Sequence, residues 1–319
     1  MKILVTGATG YLGAEIVRTL LKGGEHTVIA LCRDLGKLDR LRQWSHAQEN
    51  CLQTLQGDLR GLDALPGGIE AIIHAGALRG PECEKKASEA IQVNIQGTCR
   101  LLRLAVLHGI QRFIYVSSQS VYGKQPPPWH ERMDPDPQGV YAITKYAAER
   151  LVQDFHGDTE FVILRLSSIY GVSLFMHWDE FFGKLVRLMY EGRSVPVYGD
   201  GTQRIDLVHV CDVAECVARL VELYPRGWNE VYNVGGGGSI SLNELVEHLA
   251  QIARTLNLPS VIVENHPEAT SASSRHLELD ISHLQANLAW KPRRSLEYSV
   301  REYFSTYSHL ERDPSWGKE

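Results

Sequence analysis

Several kinds of site are missing from this sequence. Its six cysteines, Cys32, Cys51, Cys83, Cys99, Cys211 and Cys216, include no C-x-x-C pair, so the usual zinc and dithiol spacings do not occur. The thirteen histidines form no H-E-x-x-H, and no metal is expected. Positive charge is not in excess. Lys and Arg number 33 against 38 Asp and Glu, giving a net charge of −5 and a pI near 6.2. That is not the basic footprint of a nucleic-acid binder. No apolar run approaches the ~18–20 residues of a membrane span. The opening MKILVTGATGYLG lacks the apolar segment and cleavage site of a secretory leader. Scattered, unpaired cysteines lead to the expectation of a reduced, cytoplasmic chain.

What remains is close to the average for globular proteins, with 44% hydrophobic and 22% charged residues. The length of 319 residues allows a large core, in one big domain or two coupled ones. In the first half, short apolar runs at 2–6, 27–32, 71–74, 112–117 and 161–166 read as strands. Between them, 11–22, 87–108 and 141–155 have helical periodicity. This alternation predicts an α/β fold with a doubly wound parallel sheet of the Rossmann type. From about Val172 the pattern changes. A helix at 180–191, a turn-rich stretch, a strand at 205–210 and a helix at 242–256 read as a smaller mixed α/β lobe. Ser241 and Glu244 give that last helix a capping box. The expected division is 1–171 for the dinucleotide-binding domain, with about 203–230 returning to it. Residues 172–202 and 231–310 form the substrate lobe, and 311–319 a loose tail.

The strongest local signal is strand, TGATGYLG, helix. Gly7, Gly10 and Gly13 stand three apart. The first two permit a tight turn and bring backbone N–H groups against a pyrophosphate, and the third lets helix pack closely on strand. Thr9, Gly10, Tyr11 and Leu12 then open a helix whose N-terminus favours an anion. At the end of the second strand the slot for a ribose-binding acid holds Cys32, followed by Arg33. An arginine there suits a 2′-phosphate, which favours NADP over NAD. The alternatives are that Arg33 stacks on adenine or that Asp34 acts as the acid. Asp58 and Leu59 fit the adenine end, and the small residues of His74-Ala75-Gly76 fit the passage of the dinucleotide.

Tyr141 and Lys145 are four apart at the start of a helix, so phenol and ammonium share a face. A nearby cation lowers a phenol from its ordinary ~10, which makes Tyr141 a candidate general base. Ser118 ends the strand FIYVSS, at the edge where open α/β sheets bind ligands.

Taken in order, TGATGYLG, GDLR, HAGA, NIQGT, YVSSQSVYG, YAITK, RLSSIYG, YGDGTQRIDLVHVCDV, YNVGGGGSIS and LAWKP resemble the extended short-chain dehydrogenase/reductase family, in its nucleotide-sugar epimerase/dehydratase branch. The resemblance spans nearly the whole chain. It implies that Ser118, Tyr141 and Lys145 are catalytic, with Asn94 a fourth polar member. It also implies a nucleotide-sugar substrate in the second lobe and a homodimer built from helices 87–108 and 141–155. Arg204 matches the diphosphate-gripping position, with Arg275 and Arg79 as further phosphate candidates. Ser120 and Ser168 complete the substrate set. Three positions depart from the branch: Ser168 where Asn is common, Val172 where Pro is common, and Cys211 where an acid is common. Ser118-Gln119-Ser120 also lacks the acids that the 4,6-dehydratases and decarboxylases of this branch carry there.

The function that follows is a 4-epimerase of a UDP-hexose or UDP-N-acetylhexosamine, working through a transient 4-keto sugar. The alternatives are an NADPH-dependent reductase of a keto sugar or small carbonyl, a dehydratase, and a non-catalytic dinucleotide sensor.

Overall fold

The structure, a computed structural model, describes residues 1–48, 50–176, 180–266 and 276–312. Seven strands form one parallel sheet: β1 (Lys2–Thr6), β2 (Thr27–Cys32), β3 (Leu52–Gln56), β4 (Ala71–His74), β5 (Arg112–Ser118), β6 (Glu160–Leu166) and, later in the chain, β10 (Glu230–Val234). Their order is β10-β6-β5-β4-β1-β2-β3. The chain runs outward from β1 to β3, then returns beside β1 and runs outward the other way. β1 and β4 therefore flank the switch point, where doubly wound sheets bind ligands.

Both faces of the sheet are covered, and alternation along the strands decides which side chain enters which core. Ile3 and Val5 of β1, with Ile114 and Val116 of β5, join helices Tyr11–Leu21 and Val210–Glu222 on one face. Leu4, Phe113 and Tyr115 point the other way, against helices Gly97–Leu107 and Gly139–Asp154. A wide π-turn at Ile91–Gln96 interrupts the helical run before Gly97.

The second lobe holds a small sheet of β7 (Ser168–Tyr170), β9 (Arg204–His209) and β11 (Ser239–Ser241), in the order β11-β9-β7. A second pair joins β8 (Ser194–Tyr198) to β12 (Ile262–His266). Helices Phe181–Tyr190, Leu242–Thr255 and Leu296–Arg312 close a separate apolar core around Phe182, Val186, Leu245 and Val300. The Ser241–Glu244 capping box is formed in both directions.

Several boundaries differ from the sequence reading. β7 and β9 were expected in the dinucleotide-binding domain, within 1–171 and the returning 203–230, but both stand in the small sheet of the second lobe. β10 belongs to the large sheet, paired in parallel with β6, although 231–310 was given to the substrate lobe. Leu284, Leu288 and Trp290 also pack into the large core, against Tyr232 of β10. The glycine run 235–238 follows this strand. At the other end, helix Leu296–Arg312 takes up the first two residues of the expected tail, and 313–319 lie outside the described residues.

Candidate active site

A cleft of roughly 1010 Å³ opens along the carboxyl ends of β1, β2, β4, β5 and β6 and continues under the second lobe. Ligand pockets commonly measure ~300–1,000 Å³, so a single small metabolite would leave much of it unfilled.

Gly7, Thr9, Gly10, Tyr11 and Leu12 line one end. Gly7 has φ +67°, and a Cβ there would lie 2.8 Å from the Ala75 and Gly76 backbone. A Cβ on Gly13 would sit 1.9 Å from the Gly7 carbonyl oxygen. The turn is thus closed to side chains, and its backbone is left to face the cleft. Helix Tyr11–Leu21 starts at Gly10 with no side-chain cap and no acid in its first turn, so its first N–H groups and its dipole remain available to an anion. These residues fit a dinucleotide pyrophosphate. The Tyr11 hydroxyl donates to the Gly171 carbonyl at 2.7 Å, tying the start of this helix to the second lobe.

Arg33, Asp58 and Leu59 line the cleft beyond the ends of β2 and β3. Arg33 is not a free cation there, because its guanidinium lies 3.7 Å from the Asp58 carboxylate. Asp58 also accepts from Arg60 Nε and Nη2 at 2.9 and 2.8 Å, and these bonds hold its carboxyl below the usual range. Asp34 is the N-cap of helix Leu35–Ser45, accepting from Gly36 N at 2.8 Å.

Ser118, Tyr141 and Lys145 meet on the cleft wall. The Ser118 hydroxyl stands near the Tyr141 phenol and accepts from Ser120 N at 3.2 Å. Lys145 behaves differently from the expectation. Its ammonium donates to the Val116 carbonyl at 2.5 Å and sits 4.1 Å from the centre of the Tyr115 ring. Burial lowers Lys145 to about 7, against a smaller upward pull from Glu149. Burial also raises the Tyr141 phenol, with Ser118 and Arg79 pulling it back down. Arg79 is a cation that opposes this rise.

Two predicted residues do not line the cleft. His74 is 1% exposed, its ring held between Thr6 Oγ1 at 2.6 Å and Thr98 Oγ1 at 2.9 Å. Burial and Lys145 lower it to about 3, so it is a neutral core imidazole rather than a cofactor contact. Ala75 and Gly76 beside it do face the cleft. Asn94, also 1% exposed, accepts from Leu78 N at 2.7 Å and donates to Leu78 O and Thr144 Oγ1, each at 3.0 Å. It pins the 75–79 loop to the Tyr141 helix. It is a positioning residue, and the catalytic role expected for it is corrected.

Arg79, Ser120, Ser168 and Arg204 all line the cleft. Arg79 pairs with Glu180 across its mouth at 2.5 Å. Arg204 is tied down by Ser239 Oγ at 3.0 Å and Glu244 at 3.1 Å. Gln119 donates to the Ser168 hydroxyl at 3.3 Å. Arg275 lies outside the described residues.

The sequence reading passed over Ser117, Glu149 and Arg165. Glu149 and Arg165 form a buried ion pair at 2.8 Å. The available signal was spacing, since Glu149 continues the i, i+4 series of Tyr141 and Lys145. The cleft-lining Trp129, Glu180 and Phe182 gave no such signal.

The family model for the NAD dependent epimerase/dehydratase family matches residues 3–235, from β1 to the end of β10. A UDP-glucuronate 4-epimerase of Thermodesulfobacterium geofontis is 28% identical over 99% of this chain and 96% of its own length. A dTDP-glucose 4,6-dehydratase of Streptomyces niveus is 28% identical over 92% of this chain and 88% of its own. Among solved structures, a Bacillus cereus UDP-glucuronic acid 4-epimerase in complex with UDP-glucuronic acid and NAD superposes with a TM-score of 0.83. It is 25% identical and covers 97% of this chain and 100% of that one. Among the described residues no helix is long and apolar enough to cross a membrane.

Proposed function

The chain belongs to the NAD dependent epimerase/dehydratase family, and on that premise we propose that it is an NAD-dependent 4-epimerase of a UDP-linked hexose, N-acetylhexosamine or hexuronate. The observation that carries this reading is the Ser118–Tyr141 pair on the wall of a cleft with a glycine cradle at one end and the second lobe over the other. Gly7, Gly10 and the N-terminus of helix Tyr11–Leu21 would hold the pyrophosphate of the dinucleotide, with Asp58 and Leu59 at its adenosine end. When bound, NAD supplies an acceptor for the hydrogen on the sugar's C4 and returns it. Tyr141, as phenolate, takes the proton of the 4-hydroxyl as that hydrogen leaves. It gives the proton back after the 4-keto sugar has turned about its diphosphate link. Ser118 donates to the oxygen that changes between alcohol and ketone. Arg79 and the Ser118 hydroxyl favour the phenolate.

Elimination of water is disfavoured by the carboxylates of the cleft. Among the described lining residues these are Asp58, Glu89 and Glu180. Asp58 and Glu89 pair with Arg60, and Glu180 pairs with Arg79. None is a free acid beside Ser118, where Gln119 and Ser120 are neutral. For the cofactor we take NAD. The NADP preference read from Arg33 has no support among the solved relatives, such as the Bacillus cereus enzyme in complex with NAD.

The protein is further proposed to be a cytoplasmic homodimer. Ile91, Leu107 and Ile143 are 44, 78 and 51% exposed on the helical run 87–107 and on helix Gly139–Asp154, where a second copy of the chain would cover them.

The test is incubation of the purified protein with UDP-glucose, UDP-N-acetylglucosamine or UDP-glucuronate, with NAD, NADP or neither added. Interconversion with the galacto form, without net consumption of cofactor, is expected. Stoichiometric loss of NADPH absorbance with a ketone would establish the reductase instead, and a 4-keto-6-deoxy product the dehydratase. No turnover of any UDP, dTDP or GDP sugar would reject the epimerase.

A further inference from the structure

Helix Gly139–Asp154 carries a third polar residue on the face that holds Tyr141 and Lys145. Glu149 lies one turn beyond Lys145 and is 1% exposed. Its Oε1 accepts from the Ser117 hydroxyl of β5 and from Arg165 Nε of β6, the latter at 3.2 Å. Its Oε2 accepts from Arg165 Nη2 at 2.8 Å. Arg165 is itself 4% exposed and lies over the Tyr122 ring. A buried ion pair of this kind is weak evidence for stability, because packed apolar residues often serve as well or better. Its geometry points to another role.

Ser117 stands between two residues of the proposed chemistry. On one side is Val116, whose carbonyl takes the Lys145 ammonium at 2.5 Å. On the other is Ser118, which shares the cleft wall with Tyr141. Successive strand residues face opposite ways, so a slip of β5 by one position would exchange Ser117 for Ser118 at the phenol. Glu149 fastens the residue between the two to the helix that carries both their partners.

We propose that Glu149 is a positioning residue: through Ser117 it sets the register of β5 against helix Gly139–Asp154, and so places the Ser118 hydroxyl at the Tyr141 phenol. Arg165 holds the carboxylate in place through Nε and Nη2. The proposal rests on the reading of Tyr141 as the reacting phenol.

The variants are Ser117→Ala, which leaves the ion pair intact, and Glu149→Gln, which removes the charge. A misplacement of about 1 Å can cost ~100-fold in rate. The expected result for folded Ser117→Ala is therefore a kcat about tenfold lower or worse, with the sugar-nucleotide KM and the NAD dissociation constant within about threefold. Glu149→Gln is expected to lose at least as much. A purely structural role would lower the melting temperature and leave kcat per folded molecule unchanged. A kcat within about twofold of the parent in Ser117→Ala overturns the proposal, whether or not Glu149→Gln folds. If the parent protein turns over no sugar nucleotide, the functional reading falls by itself. A crystal structure of Ser117→Ala then decides the placement alone. Ser118 displaced from its place beside Tyr141 supports the proposal, and an unmoved Ser118 overturns it.

Discussion

The Lys145 ammonium is turned toward β5, onto the Val116 carbonyl at 2.5 Å, while Tyr141 on the same helix lines the cleft beside Ser118. The two side chains share a helix face but have different partners. The lysine secures helix to strand, and burial raises the phenol against the opposing pull of Ser118 and Arg79.

Tyr141→Phe removes the only atom of that side chain that can exchange a proton with the sugar. Turnover is expected to fall by ~10²–10⁴-fold. NAD affinity should stay near that of the parent, since the cradle is untouched. Rate measurements paired with calorimetric NAD titration check both halves. Retained turnover would remove Tyr141 from the mechanism.

Arg79→Gln tests which cation tunes the phenol. Burial and Cys83 push Tyr141 up, while Ser118 and Arg79 push it down. Removing Arg79 is expected to move the limb of the kcat–pH profile that reports phenolate to higher pH. If the limb stays in place, the arginine has no hold on Tyr141.

Gly13→Ala puts a Cβ 1.9 Å from the Gly7 carbonyl oxygen, against backbone that has no rotamer to yield. Overpacking of this kind costs about 1–3 kcal/mol, and the turn that must move is the one that meets the pyrophosphate. A lower melting temperature together with an NAD dissociation constant raised by about tenfold or more is expected. A variant that binds NAD as well as the parent would show that the turn has slack.

His74 gives a stability signature in mild acid. Its folded value of about 3 lies below the ordinary ~6.5. Between those values the unfolded chain holds a proton that the folded chain does not, so stability falls as pH falls through the window. His74→Gln is expected to flatten the fall in urea midpoint between about pH 6.5 and pH 5. Parallel pH profiles for variant and parent would show that the imidazole is already charged in the fold.

For the proposed dimer, Leu107→Glu combined with Ile143→Glu places charge on the two most exposed apolar positions of those helices. Sedimentation velocity is expected to show monomer for the variant and dimer for the parent. A dimeric variant would place the interface elsewhere.

The sheet and the cradle were legible because they rest on local rules. Apolar runs alternate with helical periodicity, and glycines stand where no Cβ fits. Ser118, Tyr141 and Lys145 were legible as positions, but their partners were not. Whether Lys145 turns to Val116 or to Tyr141 depends on how β5 sits beneath the helix, which no spacing encodes. His74 and Asn94 misled for a related reason. A polar residue near a ligand and a polar residue bonded inside a core look alike until Thr6, Thr98 and Leu78 are seen around them. Glu149 was overlooked because its partners, Ser117 and Arg165, come from two strands far from it in sequence.

The placement of β10 has a bearing on how the molecule is made. The outermost strand beside β6 is supplied only after β7, β8 and β9 of the other lobe have been threaded through. During synthesis a nascent chain must therefore carry β6 with one bare backbone edge until residues 230–234 emerge, a state open to mispairing with neighbouring chains. A fragment cut at residue 171 would keep that bare edge permanently, so the two lobes are one unit of folding even though they look like two in space.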